Sequence, residues 1–203
     1  QSGDPVQLQQ GHFAVGNTLH WQGEFAAARE HLEAALAAYS PTSHRTHVAE
    51  FGEDCGVTSG AYLSWVLWFL GFPDQARRVS DRSVSLARQL GHPFSLAYAL
   101  AFAALLHCRL KRPREATKLA EETMAMSLVH GFPLWQIGAA ISKAWAQTLL
   151  GQRDGIGVLA RCIDATRVAM GGVALVVLEP LAHAHVEFMA FEDAVAEIGR
   201  AHV

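Results

Sequence analysis

Cysteine is scarce in this chain. There are three in 203 residues, Cys55, Cys108 and Cys162, with no C-x-x-C pair among them. An odd, scattered set gives no disulfide framework and fits a reduced, cytoplasmic setting. A basic excess is missing too. Lys and Arg number 16 against 19 Asp and Glu, a net charge of −3, whereas a nucleic-acid partner needs a basic face. A phosphate loop is absent: the glycine-rich run Gly151-Gln152-Arg153-Asp154-Gly155-Ile156-Gly157 has no G-K-[ST] after it and reads as a helix corner. No G-x-S-x-G elbow occurs. Residues 89–108 carry no Asp, Glu, Lys or Arg. They include Gly91, His92, Pro93 and Ser95, in phase with a repeat, so a buried helix is expected there and not a membrane span. The chain starts at Gln1 with no signal-peptide pattern, and reads as a piece of a longer protein.

What is present is a beat. Leu90-Gly91-His92-Pro93 and His130-Gly131-Phe132-Pro133 lie 40 residues apart, and Gly171 falls 40 further on. Gly just past a helix end supplies a left-handed cap, and Pro two residues later opens the next helix. Apolar, Ala- and Leu-rich text between these marks favours helix. The spacing predicts one repeat domain over 1–203, with helix pairs at about 8–41, 57–90, 94–130, 134–170 and 174–203. A polar linker, 42–56, separates the first two, with a short helix near 46–51. Corners are expected at Gly23, Gly71, Lys111 and Gly151. Small residues let antiparallel helices approach closely: Gly16, Ala28, Ala76, Ala116 and Ala194. At the fourth position the beat lands on Ile156, so Gly157 or Gly155 must serve there, with Gly157 preferred. Pro180 interrupts the last pair.

The first pair resembles the tetratricopeptide repeat (TPR). Gly16 stands at its small eighth position, Phe25 and Ala28 at its aromatic seventeenth and small twentieth, Ala35 at its small twenty-seventh, and Ser40-Pro41 at its terminal turn. The contact positions 28, 76, 116, 156 and 194 are 48, 40, 40 and 38 apart, longer than the usual 34 or so. The longer helices, and phrases such as WVLWFLGFPDQARR and ARQLGHPFSLAYAL, are similar to the C-terminal TPR regions of bacterial cyclase–ATPase signalling proteins and of LuxR-type, maltose-regulator-like activators. The resemblance implies an all-α, right-handed superhelix of about five antiparallel helix pairs. It also implies a concave groove lined by Phe13, Asn17, His20 and Trp21, then Ala61, Trp65, Trp68 and Phe69. Tyr98, Leu105 and Arg109 follow from repeat three, and Ile141, Trp145 and Thr148 from repeat four.

Few residues suggest chemistry. His44, His47 and Glu50, with Asp54 and Cys55 nearby, have no recognised metal spacing, and a solvated linker is the plainer expectation. His183 and His185 would point to nearly opposite sides of a helix. Neighbours His107 and Cys108 diverge by about 100° on a helix and are read as core. Arg77, Arg78, Arg82, Arg88, Arg109, Lys111, Arg112, Arg114 and Lys118, mixed with acids, read as a solvated face. The expectation is thus a non-catalytic scaffold with no cofactor or metal. It would bind a protein or peptide, other domains of its parent chain, or a second copy of itself, and neither nucleic acid nor membrane. The other reading is a small-molecule receptor stacking its ligand on the aromatic groove.

Overall fold

The computed structural model describes residues 4–170 and 180–184, with the main chain alone over 163–170. Among the described residues there are nine α-helices, a further helical stretch at 180–184, one 3-10 turn and no strand. The helices are α1 (Pro5–Trp21), α2 (Phe25–Ala37), α3 (His44–Phe51), α4 (Cys55–Phe69), α5 (Pro73–Leu90), α6 (Pro93–Arg109), α7 (Pro113–His130), α8 (Pro133–Leu149) and α9 (Asp154–Met170). The 3-10 turn is Pro41–Ser43. The chain divides into two compact units, with the boundary between Leu106 and His107, inside α6.

Local chemistry sets the helix ends. Pro5, Pro73, Pro93, Pro113 and Pro133 each open a helix, where the missing N–H costs nothing. Asp4 and Asp54 cap α1 and α4 by accepting from the Val6 and Val57 amides, both at 3.0 Å. The corner inside each pair turns on one left-handed residue: Gly23, Gly71, Lys111 and Gly151, with φ of +82°, +84°, +55° and +83°. Three are glycine because a Cβ is costly there. Lys111 is the only described non-glycine residue with positive φ.

In the first unit α1 packs on α2, α4 on α5, and α2 and α1 on α4. α4 is apolar on every side, and residues 55–67 are buried without a break, as a central helix requires. α5 is the opposite case. Ala76, Ser80, Ser83 and Ala87 form its buried stripe, Val84, Leu86 and Leu90 pack beside it, and Asp74, Arg78, Asp81, Arg82 and Arg88 lie exposed. Ser83 Oγ donates to the Val57 carbonyl at 2.8 Å, so even the polar part of the stripe is matched to α4. In the second unit α8 packs against both α7 and α9.

Small residues sit where pairs meet. Ala28, Ala76 and Ala116 have no exposed surface. A Cβ on Gly16 would come within 2.8 Å of Leu32 Cγ. At the fourth position the structure corrects the sequence reading. Gly157 is exposed, with only the end of Arg161 within 4 Å of a Cβ placed there; Gly155 is the buried one, and its Cβ would lie 2.5 Å from the Ala144 carbonyl oxygen. The register has slipped by one residue, which leaves Ile156 half-buried. Ala194 and the rest of the expected fifth pair lie outside the described residues, save 180–184, which are helical with Pro180 buried.

Residues 42–56 also differ from the solvated linker their polar text suggests. The 3-10 turn and α3 fill the segment, α4 begins at Cys55, and His47 and Asp54 are fully buried. The physical reason for Asp54 is a polar network, described next, in which its carboxylate and amide find partners; the buried His47 ring nitrogens make no hydrogen bond.

Candidate functional site

The residues expected to line a groove do converge in the first unit, but mostly on each other. Tyr62, Trp65 and Phe69 share one face of α4 at helical spacing. α1 contributes Phe13, His20 and Trp21, α2 Phe25, and α6 Tyr98 and Phe102. Trp65 stacks on Phe102 with centroids 4.1 Å apart, and its indole N–H donates to the Phe102 carbonyl at 3.0 Å. Phe102 stacks on Tyr98 at 4.7 Å and meets Tyr62 edge-on at 4.9 Å. His20 lies against Trp21, Phe25, Tyr62, Trp65 and Phe69, all within 6.0 Å. Burial pushes the Tyr62 and Tyr98 hydroxyls above their ordinary values, against opposing hydrogen bonds to Tyr62 from Tyr98, Trp21 and Asn17.

Accordingly Phe13, His20, Ala61, Trp65, Tyr98 and Leu105 are buried in the first unit, and Arg109, Ile141, Trp145 and Thr148 in the second. Asn17 and Trp68 are half-buried. Most of the expected groove wall is therefore core. The cluster reaches the surface at the corner ends of α1 and α4, where Trp21 is 42% exposed, Phe69 39% and Phe72 40%. Phe25 stacks on Phe69 at 4.5 Å, nearly parallel, and the Arg29 guanidinium lies 5.5 Å from the Phe72 ring centre. Phe25 and Phe72 were absent from the groove inferred from sequence. Their signal was the pair of corners Gly23 to Phe25 and Gly71-Phe72, each placing an aromatic ring beside a turn.

A second apolar surface lies in the second unit. A cleft of about 330 Å³ between α7 and α8 is lined by Ala120, Met124, Ala125, Leu128 and Ala139, with Glu121 and Lys143 paired at 2.8 Å beside it. Leu128 and Val129 are 64% and 81% exposed. Forty residues earlier those positions hold Arg88 and Gln89. Comparing the repeats position by position would have exposed this change.

Polar groups gather around Asp54. Its Oδ2 accepts from the Tyr39 hydroxyl at 3.1 Å and from His44 Nδ1 at 2.9 Å, while its own amide donates to Ser95 Oγ at 3.0 Å. His47 stacks on Tyr39 with its Nδ1 3.8 Å from the same carboxylate oxygen. Burial pushes the Cys55 thiol up to about 12, so it is no nucleophile at neutral pH. Among the described residues no three His, Cys, Asp or Glu side chains are placed to hold a metal. His107 and Cys108 are both buried. His183 touches the Trp145 ring at 5.6 Å, and His185 lies outside the described residues. No described helix is long and apolar enough to cross a membrane.

Residues 14–40 match the tetratricopeptide-repeat family model. That span covers the α1–α2 pair from Ala14 onward, where the TPR motif was read. No curated protein matches the chain. Among solved structures, a Rap protein complexed with competence and sporulation factor superposes with a TM-score of 0.70 at 15% identity, over 98% of this chain and 64% of that one. A kinesin-light-chain-like protein of Podospora anserina with nearly identical TPR-like repeats gives 0.58 at 17%, over 98% and 95%. A thermophilic TPR protein of Thermus thermophilus gives 0.56 at 16%, over 95% and 89%. At these identities the likeness concerns the fold, which is an all-α, TPR-like solenoid.

Proposed function

We propose that this chain is a non-catalytic binding module for a protein or peptide, and that it contacts its partner through the exposed aromatic rim of Trp21, Phe69 and Phe72. The observation that carries this reading is the exposure of those three rings. They are continuous with a rigid buried cluster and face solvent, and sizeable exposed apolar patches on soluble proteins mark contact sites. Aromatic anchors backed by packed neighbours lose little freedom on binding. The Rap structure, solved with a signalling factor bound, supports a peptide-type partner by analogy of fold only. The resemblance of the sequence to cyclase–ATPase and LuxR-type proteins supports a place in a bacterial, cytoplasmic signalling chain. There the module would bias the activity of attached domains through its differential affinity for their states. A small-molecule receptor finds less support, since the ring faces a ligand would stack on are already stacked on one another.

The test is partner recovery on immobilised protein, comparing wild type with Trp21→Ala/Phe69→Ala. Both side chains are about two-fifths exposed and otherwise pack on His20, so the variant is compared at a temperature where circular dichroism shows it folded. Recovery is expected to fall at least about tenfold, as losing one or two aromatic anchors implies. Undiminished recovery would remove the rim as the contact surface.

A further inference from the structure

His92 precedes Pro93 and stands where the side chain can cap α6. Its Nδ1 lies 3.4 Å from the Ser95 amide and 2.9 Å from Ser95 Oγ. Ser95 Oγ in turn accepts the Asp54 amide proton at 3.0 Å. An amide only donates, so Nδ1 facing it is the lone-pair side of a neutral ring whose proton sits on Nε2. On the other side of the network an ionised Asp54 only accepts. His44 therefore donates from Nδ1 and keeps Nε2 open. The two imidazoles meet edge-on with centroids 6.0 Å apart. Tyr39 at the end of α2, His44 of α3, Asp54 at the start of α4, and Ser95 and His92 of α6 are thus one connected set within the first unit.

The two histidines answer acid in opposite ways. A proton on His44 adds at Nε2 and preserves its bond to Asp54. A proton on His92 must add at Nδ1; it takes the acceptor from the Ser95 amide and reverses the bond to the Ser95 hydroxyl, whose oxygen then receives His92 beside the Asp54 amide. When both rings are charged they also repel across 6.0 Å.

We propose that His92 and Ser95, held against Asp54 and His44, form an acid-released latch between the α3 insertion and the start of α6. With His92 neutral the latch is closed, and α3 is tied to α6 through Asp54. Protonation of His92 removes the amide cap of α6 and puts a second donor on the Ser95 oxygen that holds the Asp54 amide, which weakens the tie between the insertion and α6. Among the groups around this network, Asp54 favours charge on His92 and His44 opposes it. Tyr39 and His47 lie on Asp54, and Glu53 adjoins it.

The direction of the pH dependence follows. Burial first, and then His44, hold His92 below the ordinary histidine value, with Asp54 pulling the other way. The unfolded chain then takes the proton more readily. The contribution of the latch is whole above the ordinary value of 6.5 and is lost as pH falls through the lowered folded value. Glu53 runs in the opposite sense. Burial, then Asp54, raise it to about 7, so its protonation favours the folded state as pH falls. A global melting curve sums the opposed effects of His92 and Glu53, so the readout must be local.

The experiment is amide hydrogen exchange on the whole chain at about pH 7.5 and about pH 5.5, on either side of the histidine range, corrected for the intrinsic rates. Wild type, His92→Asn and Glu53→Gln are compared over residues 44–57 and 92–99. Asparagine accepts the Ser95 amide as a cap without titrating. Wild type and Glu53→Gln are expected to lose protection by about tenfold in both segments at the lower pH, while His92→Asn stays within about twofold. Equal protection of the wild type at both pH values would overturn the latch, as would a His92→Asn protein as acid-sensitive as wild type. Nitrogen NMR of the wild-type imidazoles gives a check that needs no variant. A bare Nδ1 on His92 at neutral pH is expected, and a proton found there would overturn the proposal.

Discussion

Gly155→Ala is expected to destabilise the second unit by about 3 kcal/mol, the upper end for overpacking a tight contact. For a chain of this size that is a fall of roughly 6–12 °C in melting temperature. The added Cβ would lie 2.5 Å from the Ala144 carbonyl oxygen and 2.8 Å from Thr148 Cγ2. The first of these is main chain, and it cannot rotate aside; α8 and α9 must separate to admit the methyl. Gly157→Ala, two residues on, is the matched control. Its Cβ would meet only Arg161 Nη1, at 3.6 Å. The gain in helix propensity should then leave that variant unchanged or about 0.5–1 kcal/mol more stable. Thermal melts of the two variants check both statements, and their order matters more than their size.

Asp54→Ala is expected to cost about 2–4 kcal/mol, roughly 1 for the helix cap and about 0.5–1.5 for each of two further hydrogen bonds. One side chain serves three donors here. It caps α4 at the Val57 amide and accepts from Tyr39 and His44, with no exposed surface of its own. Alanine removes the cap and takes the acceptor from the Tyr39 hydroxyl and the His44 N–H, both half-buried, and each lost hydrogen bond carries its own penalty. Asp54→Asn keeps its one oxygen for the Val57 amide and sets an NH2 where Tyr39 and His44 had their acceptor, so it should cost less than alanine by about the worth of the cap, roughly 1 kcal/mol. Urea unfolding of both variants measures the difference. Equal stability of Asp54→Ala and wild type would mean that the network contributes nothing net.

Helix ends were legible in the sequence because their chemistry is local. Gly91-His92-Pro93 and Gly131-Phe132-Pro133 state a stop and a start within three residues, and α6 and α8 begin at those prolines. The Asp54 network was not legible. Tyr39 and Ser95 lie 15 and 41 residues from Asp54, the first on its carboxylate and the second on its amide, and no local pattern announces such partners. A histidine-rich stretch reads as solvated until its acceptor is found. The groove was half legible. The resemblance to the tetratricopeptide repeat implied the face of α4 that carries Trp65 and Phe69, but a motif position names a face and not what covers it. Phe102 stacks on Trp65, and only the corner end of that face stays open. The slip from Ile156 to Gly155 was hidden for a related reason. Both glycines beside Ile156 fit the pattern, and the position of the Ala144 carbonyl chooses between them.

The account as a whole rests on small side chains recurring where paired helices nest. Its most direct test is the equilibrium stability of Ala28→Leu, Ala76→Leu and Ala116→Leu beside Ala26→Leu. The first three positions have no exposed surface, and Ala26 is exposed on the same helix as Ala28. Each of the three buried substitutions should cost roughly 1–3 kcal/mol by overpacking, while Ala26→Leu stays near wild type. If the three melt with wild type, or Ala26→Leu falls as far as they do, the helices do not pack on this beat.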